Sequence, residues 1–273
     1  MKGFRLAGSR DGVKPIVVLE GSWSIAEGSY LSSLEFDNIE FRHEANNNYF
    51  MNTSKAYTIE NVSFVNCDFI SLRRGFWRHQ SANAKYIMNL EMEGCRFEGC
   101  GWQTSAYGAF NLQSFDKDNG VSYDQVDRAI FRNCTFSNDN DGTNGYGWGN
   151  LFYAPYMDKP IDLEYKNVTI YNYSRNQRLI NIESAVGSKL VMEGILLASP
   201  CGDLFAIGAN TTTTFSNNYT TADYTLGGKN MNATDLKITA AELFADPANG
   251  DLTIKDTSSP IVSNRAGDTR WLP

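Results

Sequence analysis

The chain has 273 residues, and its 24 Lys and Arg residues against 31 Asp and Glu residues give a net charge of −7 at pH 7. This acidity argues against general nucleic-acid binding, which needs a basic surface, and the 42% of apolar residues argue against intrinsic disorder. No stretch reaches the roughly 18 apolar residues of a membrane-spanning helix, so we expect none.

Residues 1–30 are predicted to form an incomplete first coil of a repetitive structure, with a short strand at 16–19. Residues 1–20 contain no apolar run followed by a cleavage site, so the sequence shows no secretory signal peptide. Two explanations stay open at this point: a cytosolic protein, or a domain that begins inside a longer precursor.

Residues 31–208 carry a recurring eight-residue pattern in which apolar residues alternate on either side of a central Asn or Gly. Alternation predicts a strand with one buried face, and Asn and Gly tolerate the left-handed backbone of a bend. Two short strands should therefore meet at each centre, which we place at Asn38, Asn61, Gly94, Asn133, Asn167 and Gly194. A second bend is predicted five residues later, at His43, Asn66, Gly99, Asn138, Asn172 and Ser199.

A third strand follows each second bend after a loop of variable length. We predict its two inward columns as Phe50, Trp77, Phe110, Phe152, Ile180 and Phe205, and then Asn52, His79, Leu112, Ala154, Ile182 and Ile207. The outward column between them is predicted as Met51, Arg78, Asn111, Tyr153, Asn181 and Ala206.

Three strands per repeat without a helical pattern predict an all-β fold, a right-handed parallel β-helix with three sheets and about six to eight coils. A β-sandwich is the alternative, but it would not require a recurring Asn column. Residues 209–273 are predicted to form the last coil and a C-terminal cap, because a solenoid needs its open end covered. Within the cap we expect a helix at 236–244, ended by Pro247, and a strand at 251–254. The whole chain, 1–273, is thus predicted to be one domain.

Several stretches resemble a known family. Residues 61–69 and 133–138 resemble coils of the pectate-lyase-like β-helix superfamily, and residues 243–254 with Ser259 and Pro260 resemble the C-terminal cap of β-helix proteins from bacterial polysaccharide-utilisation systems. Residues 74–80 and 267–272 strengthen the resemblance to domains of secreted or lipid-anchored surface proteins of gut bacteria, which often follow fibronectin-type modules. The resemblance implies an extracellular or outer-surface location and a chain taken from a longer precursor. It does not imply an activity, since a fold does not determine a function.

The outward column of the third strand is the candidate binding surface. Amide and guanidinium groups bind sugar hydroxyls, and aromatic rings bind the C–H faces of sugars. We therefore predict a non-catalytic polysaccharide-binding module, expected to be a monomer, whose ligand contacts are Arg74, Arg78, Trp102, Tyr107, Asn111, Tyr146, Trp148, Tyr153 and Asn181. A structural or protein-interaction module is a further alternative.

A polysaccharide lyase acting on a uronate-containing glycan is the enzymatic alternative. It needs a base and a cation beside the substrate carboxylate, and Arg74, Arg78 or Tyr153 are the candidates. Arginine is a poor base, and the strand columns show no acidic calcium set. Asp203 and Asp223 are isolated, which argues against a hydrolase with converging aspartates. No catalytic residue is assigned.

The metal-binding and redox residues are few. With only two histidines, five cysteines and no CxxC motif, we predict no metal site, no cofactor and no disulfide scaffold. Cys67 is predicted to stack on Cys100 and Cys95 on Cys134, all as buried free thiols, and His79 is predicted to be a hydrogen-bonded core residue. The loop at 137–142 is read as an Asn- and Asp-rich turn, although the sequence leaves a bound calcium ion open.

Overall fold

The structure is a computed structural model that describes residues 2–43, 48–72, 74–100, 108–138, 150–173, 178–198, 205–224 and 231–273. Its strands, in chain order, are β1 Lys2–Ala7, β2 Ile16–Leu19, β3 Ser29–Asp37, β4 Glu40–His43, β5 Tyr49–Thr53, β6 Tyr57–Val65, β7 Asp68–Ile70, β8 Gly75–His79, β9 Lys85–Glu93, β10 Arg96–Glu98, β11 Phe110–Leu112, β12 Phe115–Asp116, β13 Val121–Ser122, β14 Asp124–Arg132, β15 Thr135–Ser137, β16 Phe152–Tyr153, β17 Asp162–Lys166, β18 Thr169–Tyr171, β19 Ile180–Ile182, β20 Lys189–Glu193, β21 Leu196–Ala198, β22 Phe205–Ile207, β23 Thr212–Ser216, β24 Tyr219–Thr220, β25 Thr234–Asp235, β26 Phe244–Asp246 and β27 Asp251–Ile254. The helices are α1 Ala240–Leu243 and α2 Pro260–Ser263, with short 3-10 turns at Pro247–Asn249 and Thr269–Trp271.

Three parallel sheets run along the molecule. The first has the order β1-β3-β6-β9-β14-β17-β20-β23, the second β2-β4-β7-β10-β15-β18-β21-β24-β25, and the third β22-β19-β16-β11-β8-β5. The chain visits the sheets in turn and then advances by one strand, so its described part forms a parallel β-helix. The predicted all-β solenoid with three sheets is confirmed.

The bends between the first two sheets lie at residues with positive φ, namely Asn38, Asn66, Gly94, Asn133, Asn167, Gly194 and Asn217. The predicted bend at Asn61 is therefore wrong. The alternation does change phase there, because Glu60 is half-buried, Asn61 is exposed and burial resumes at Val62. However, β6 absorbs this change without turning, and Asn61 stays paired with Asn89 of the next coil.

The error at Asn61 also displaced the second bend that we predicted for that coil. Ser71, with φ of 57°, occupies the place predicted for Asn66. On the third sheet, Met51 pairs with Trp77, so the column that we began at Phe50 begins one residue later. Phe50 is also fully buried, and its ring stacks on Phe76 at 5.1 Å. Two adjacent buried residues made both alignments compatible with the apolar pattern.

The interior is filled by columns of stacked aromatic rings. Phe36 lies on Phe64 with ring centroids 4.8 Å apart, and Phe97 lies on Phe136 at 4.6 Å. These distances match the roughly 4.8 Å between neighbouring strands, so the rings repeat with the backbone. This packing holds the outward faces of the sheets in a fixed order.

The C-terminal segment packs on the outer side of the second sheet. Leu243, Phe244 and Leu252 form a separate apolar cluster there with Tyr171 and Leu196. The solenoid interior at this end is instead completed by other residues, which include Tyr224 and Met231. The predicted helix is shorter than expected: α1 spans Ala240–Leu243, because the next residues form β26 and pair with β27. The predicted strand at 251–254 is confirmed.

The final residues run back along the same sheet. The Asp268 carboxylate accepts a hydrogen bond from Thr135 Oγ1 at 2.7 Å and contacts Arg270 Nε at 2.8 Å. Trp271 Nε1 donates to the same Thr135 oxygen at 2.7 Å, and the Arg270 guanidinium donates to the Gly94 carbonyl at 2.6 Å. The tail therefore fastens coils that are more than a hundred residues away in sequence.

The opposite end of the solenoid is apolar. It contains a cavity of about 330 Å³ whose walls include Trp23, Ile25, Leu31 and Phe36. Phe4 also lines this cavity and is 46% exposed. In the described chain no strand pairs with the outer edge of β1 or β2.

Candidate functional site

The outer face of the third sheet carries one continuous column of polar side chains. Strand pairing aligns Asn52 with Arg78, Arg78 with Asn111, Asn111 with Tyr153 and Tyr153 with Asn181, and Ala206 ends the series. We call these residues the outer column. Asn52 takes the first position, which we had predicted for Met51, because of the one-residue shift in β5. A ligand that touches several of these residues must lie along the solenoid axis, since successive coils are about 4.8 Å apart.

Two arginines lie against one tyrosine at an end of this column. The guanidinium carbons of Arg74 and Arg78 are each 5.5 Å from the centre of the Tyr49 ring. Such cation–π contacts contribute about 0.5–2 kcal/mol each. They hold two positive charges close together on a protein whose net charge is −7.

Gly75 makes room for this arrangement. Its φ is 137°, and a Cβ atom there would lie 2.6 Å from the Gly108 carbonyl oxygen and 3.1 Å from the Tyr49 ring. A side chain at this position would collide with the next coil and displace the ring. The glycine that precedes Phe76 is thus required for the placement of Tyr49, a residue that no pattern in the sequence indicated as part of the site.

Asn111 is the most unusual member of the outer column. The residue is fully buried, yet neither Nδ2 nor Oδ1 has a hydrogen-bond partner. Buried polar groups are paired in about 90% or more of cases, and an unpaired one costs about 1–3 kcal/mol. The amide therefore has unused capacity to donate and to accept, midway between Arg78 and Tyr153.

The predicted binding residues divide into two groups. The structure places Arg78, Asn111, Tyr153 and Asn181 in the outer column and brings Arg74 to it through Tyr49. Asn181 is 96% buried, and its Oδ1 accepts a hydrogen bond from the Glu183 backbone nitrogen at 3.3 Å. The remaining predicted contacts lie outside the described residues: Trp102, Tyr107, Tyr146 and Trp148.

A second polar cluster is enclosed in the interior. Tyr57 Oη lies 2.5 Å from His79 Nε2, and His79 Nδ1 lies 2.6 Å from Asp124 Oδ1. The second oxygen of Asp124 accepts from the backbone nitrogen of Ser114 at 2.5 Å. His79 is fully buried, as predicted for a hydrogen-bonded core histidine. The Asp–His–Tyr order is that of a proton relay, but it lies inside the coil stack, and we assign it to the stability of the core.

Lys85 belongs to the same region. Its ammonium group donates to Ser114 Oγ at 2.7 Å and to the Asn83 carbonyl at 2.6 Å, and the residue is 1% exposed. Burial lowers the pKa of Lys85 to about 8, although the Asp124 carboxylate acts in the opposite direction. Removal of the ammonium from water is thus the stronger of the two effects.

This pKa predicts an unusual rise of stability in alkaline solution. Between about pH 8 and pH 10.5 the unfolded chain retains the Lys85 proton that the folded chain has lost. The free energy of unfolding should therefore increase across this window by up to about 3 kcal/mol. The measurement is urea unfolding at a series of pH values for the wild type and Lys85→Met, with the exposed Lys189→Met as a control. If the free energy of unfolding depends on pH equally in the wild type and in Lys85→Met, Lys85 is not the cause of the rise.

The described cysteines are buried free thiols: Cys67, Cys95, Cys100 and Cys134. The pairing of Asp68 with Arg96 and of Arg96 with Thr135 shows that the cysteines just before them, at positions 67, 95 and 134, stack in consecutive coils. The predicted stacking of Cys67 on Cys100 is wrong for the same reason as the bend at Asn61. Burial raises the pKa of Cys100 to about 12, which keeps this thiol protonated. Cys201 lies outside the described residues.

No group of three or more His, Cys, Asp or Glu side chains in the described ranges could hold a metal ion. The predicted turn at 137–142 is described only at Ser137 and Asn138. No helix in the described structure is long and apolar enough to cross a bilayer.

Comparison of the chain with models of protein families, with curated proteins and with solved structures found no match. The resemblance to pectate-lyase-like surface proteins of gut bacteria therefore stays a hypothesis. The parallel β-helix itself depends on the observed strand pairing and not on that resemblance.

Proposed function

We propose that the outer column captures an extracellular polysaccharide that carries carboxylate groups, without cleaving it. The observation that carries this proposal is the unpaired buried amide of Asn111 between Arg78 and Tyr153. An amide with a free donor and a free acceptor matches a sugar hydroxyl, which is both. The cost of leaving it unpaired is explained if a ligand completes its hydrogen bonds.

The arginines define the charge of the ligand. A guanidinium carries five N–H donors in a planar fork that suits a carboxylate. Arg74 and Arg78 are held on one ring, so their positions are set before a ligand arrives. Preorganised groups lose less entropy on binding, and two adjacent cations favour an acidic glycan over a neutral one.

Binding without cleavage fits the chemistry of the outer column. The column supplies no carboxylate and no imidazole to act as a general base. His79 follows Arg78 in β8, but its side chain is directed inward to Asp124. The enzymatic alternative, β-elimination from a uronate, would have to use the Tyr153 phenol as the base.

The test measures the affinity of the protein for polygalacturonate and alginate by calorimetry, with dextran as the neutral comparison. Arg78→Ala should weaken binding to the acidic chains by about tenfold, or 1.4 kcal/mol, and Arg128→Ala, at an exposed position of the first sheet, should not. Asn111→Leu should also weaken binding while raising the free energy of unfolding, because it removes an unpaired buried polar group.

Two results would contradict the proposal. Equal affinity for dextran would remove the role of the arginines, and unchanged binding in both Arg78→Ala and Asn111→Leu would place the ligand elsewhere. Release of unsaturated uronates, followed by their ultraviolet absorbance, would favour the lyase. No binding to any of the three polysaccharides would favour a structural module.

A further inference from the structure

A small cleft separates the C-terminal hairpin from the second sheet. Its walls are Glu98, Ser137, Asn138 and Tyr171 from the coils and residues 247–250 from the turn between β26 and β27. We call it the hairpin cleft, and it encloses about 130 Å³. The turn approaches the sheet closely, since a Cβ atom on Gly250 would lie 3.7 Å from Glu98 Oε1.

Asn138 is the residue in the cleft that the fold does not explain. Its backbone is used, because its nitrogen donates to the Tyr171 carbonyl at 3.2 Å and its carbonyl accepts from Asn172 Nδ2 at 3.3 Å. Its side chain is 98% buried, and both Nδ2 and Oδ1 lack a partner. An amide placed only to support the bend would be expected to bond to the asparagine of the next coil.

The unpaired atoms indicate the chemistry of a ligand. A metal cation would satisfy Oδ1 and leave Nδ2 unpaired, and an anion would satisfy Nδ2 but face the Glu98 carboxylate. A hydroxyl group satisfies both atoms because it donates and accepts. Glu98 can accept from a second hydroxyl, and Arg96 holds its carboxylate at 3.0 Å.

We propose that the hairpin cleft binds one sugar ring or a small polyol. The volume of about 130 Å³ is below the roughly 300–1,000 Å³ of pockets for larger organic ligands, so the cleft can take a small polyol or one edge of a sugar ring but not a polysaccharide chain. The buried Tyr171 provides an aromatic wall, the kind of surface that packs against sugar C–H groups. This site lies on the second sheet and does not depend on the function proposed for the third.

The experiment is a titration of the full-length ¹⁵N-labelled protein with methyl α-D-glucopyranoside, methyl α-D-galactopyranoside and glycerol, followed by side-chain amide resonances. We expect the Asn138 amide signals, identified by their loss in Asn138→Leu, to shift with at least one probe. Asn138→Leu should weaken that binding by about tenfold or more, while Asn61→Leu, at an exposed position of the first sheet, should leave it unchanged. Glu98→Gln, at a half-buried position, provides a second variant if Asn138→Leu does not fold.

Three outcomes would overturn the proposal. The first is no shift of the Asn138 signals with any of the probes at millimolar concentrations, which would mean that ordered waters satisfy the amide. The second is a shift with calcium chloride or phosphate alone. The third is sugar binding that both Asn138→Leu and Glu98→Gln retain. Polygalacturonate binding by Asn138→Leu, measured in parallel, is expected to be unchanged and reports separately on the outer column.

Discussion

Replacing His79 with Leu is expected to lower the free energy of unfolding by about 3–5 kcal/mol, because it leaves a buried carboxylate without its partner. The Asp124 side chain is 2% exposed, and His79 Nδ1 is 2.6 Å from its oxygen. Leucine is acceptable in shape at this place, since Leu112 occupies the same column in the next coil. The loss therefore reports on the buried carboxylate oxygen that His79 no longer contacts and not on a poor fit. Urea unfolding followed by circular dichroism is the measurement.

A double variant separates charge from packing in this network. Asp124→Asn keeps an oxygen for the Ser114 backbone nitrogen but removes the negative charge. Combined with His79→Leu, it should recover a large part of the lost stability. If the double variant is as unstable as His79→Leu alone, the charge is not the cause. Tyr57→Phe, which removes only the hydroxyl on His79 Nε2, should cost about 1 kcal/mol.

The second large effect is expected at the C-terminal tail. Changing both Asp268 and Trp271 to Ala should lower the free energy of unfolding by about 4 kcal/mol, from the loss of hydrogen bonds to a charged group and of buried aromatic area. Both side chains bond to Thr135, which is fully buried under the tail. Thermal unfolding measures the change.

The control is Asp256→Ala in the loop before α2. Asp256 is exposed, and its side chain accepts hydrogen bonds from Ser258, two residues away, so the loss of this side chain should cost well under 1 kcal/mol, as for other exposed positions. A similar loss for Asp256→Ala and the double variant would contradict a specific role for the tail.

The predictable part of the fold comes from its repetition. Alternating burial and a recurring Asn or Gly identify the solenoid, because each coil repeats the same physical requirement. The wrong predictions arose where the same apolar pattern was compatible with two different structures. The phase change at Asn61 is absorbed inside β6, and the adjacent buried residues Phe50 and Met51 allow two alignments. Only the pairing of neighbouring coils decides between them.

The candidate sites also differ in how much of each could be predicted from the repeat. Arg78, Asn111, Tyr153 and Asn181 could be placed on one face because they occupy equivalent positions in successive repeats. Tyr49 could not, since its role depends on the space left by Gly75 in the next coil. The hairpin cleft has no sequence signal, because it joins Asn138 to a turn more than a hundred residues later. The repeat period predicts which residues occupy equivalent positions in neighbouring coils. It does not predict contacts between a coil and a segment outside the repeats.

The three stacked cysteines have a practical consequence. Each thiol faces the interior of a different coil, and Cys95 Sγ donates to the Phe64 carbonyl of the preceding coil at 3.4 Å. A thiol reagent can reach such a group only after its own coil opens. Each repeat of a solenoid is stabilised mainly by contacts with its neighbours, so neighbouring coils should open one after another. The order in which Cys67, Cys95 and Cys134 become labelled then records the direction in which the coils unfold. The three thiols thus report separately on the opening of three successive coils.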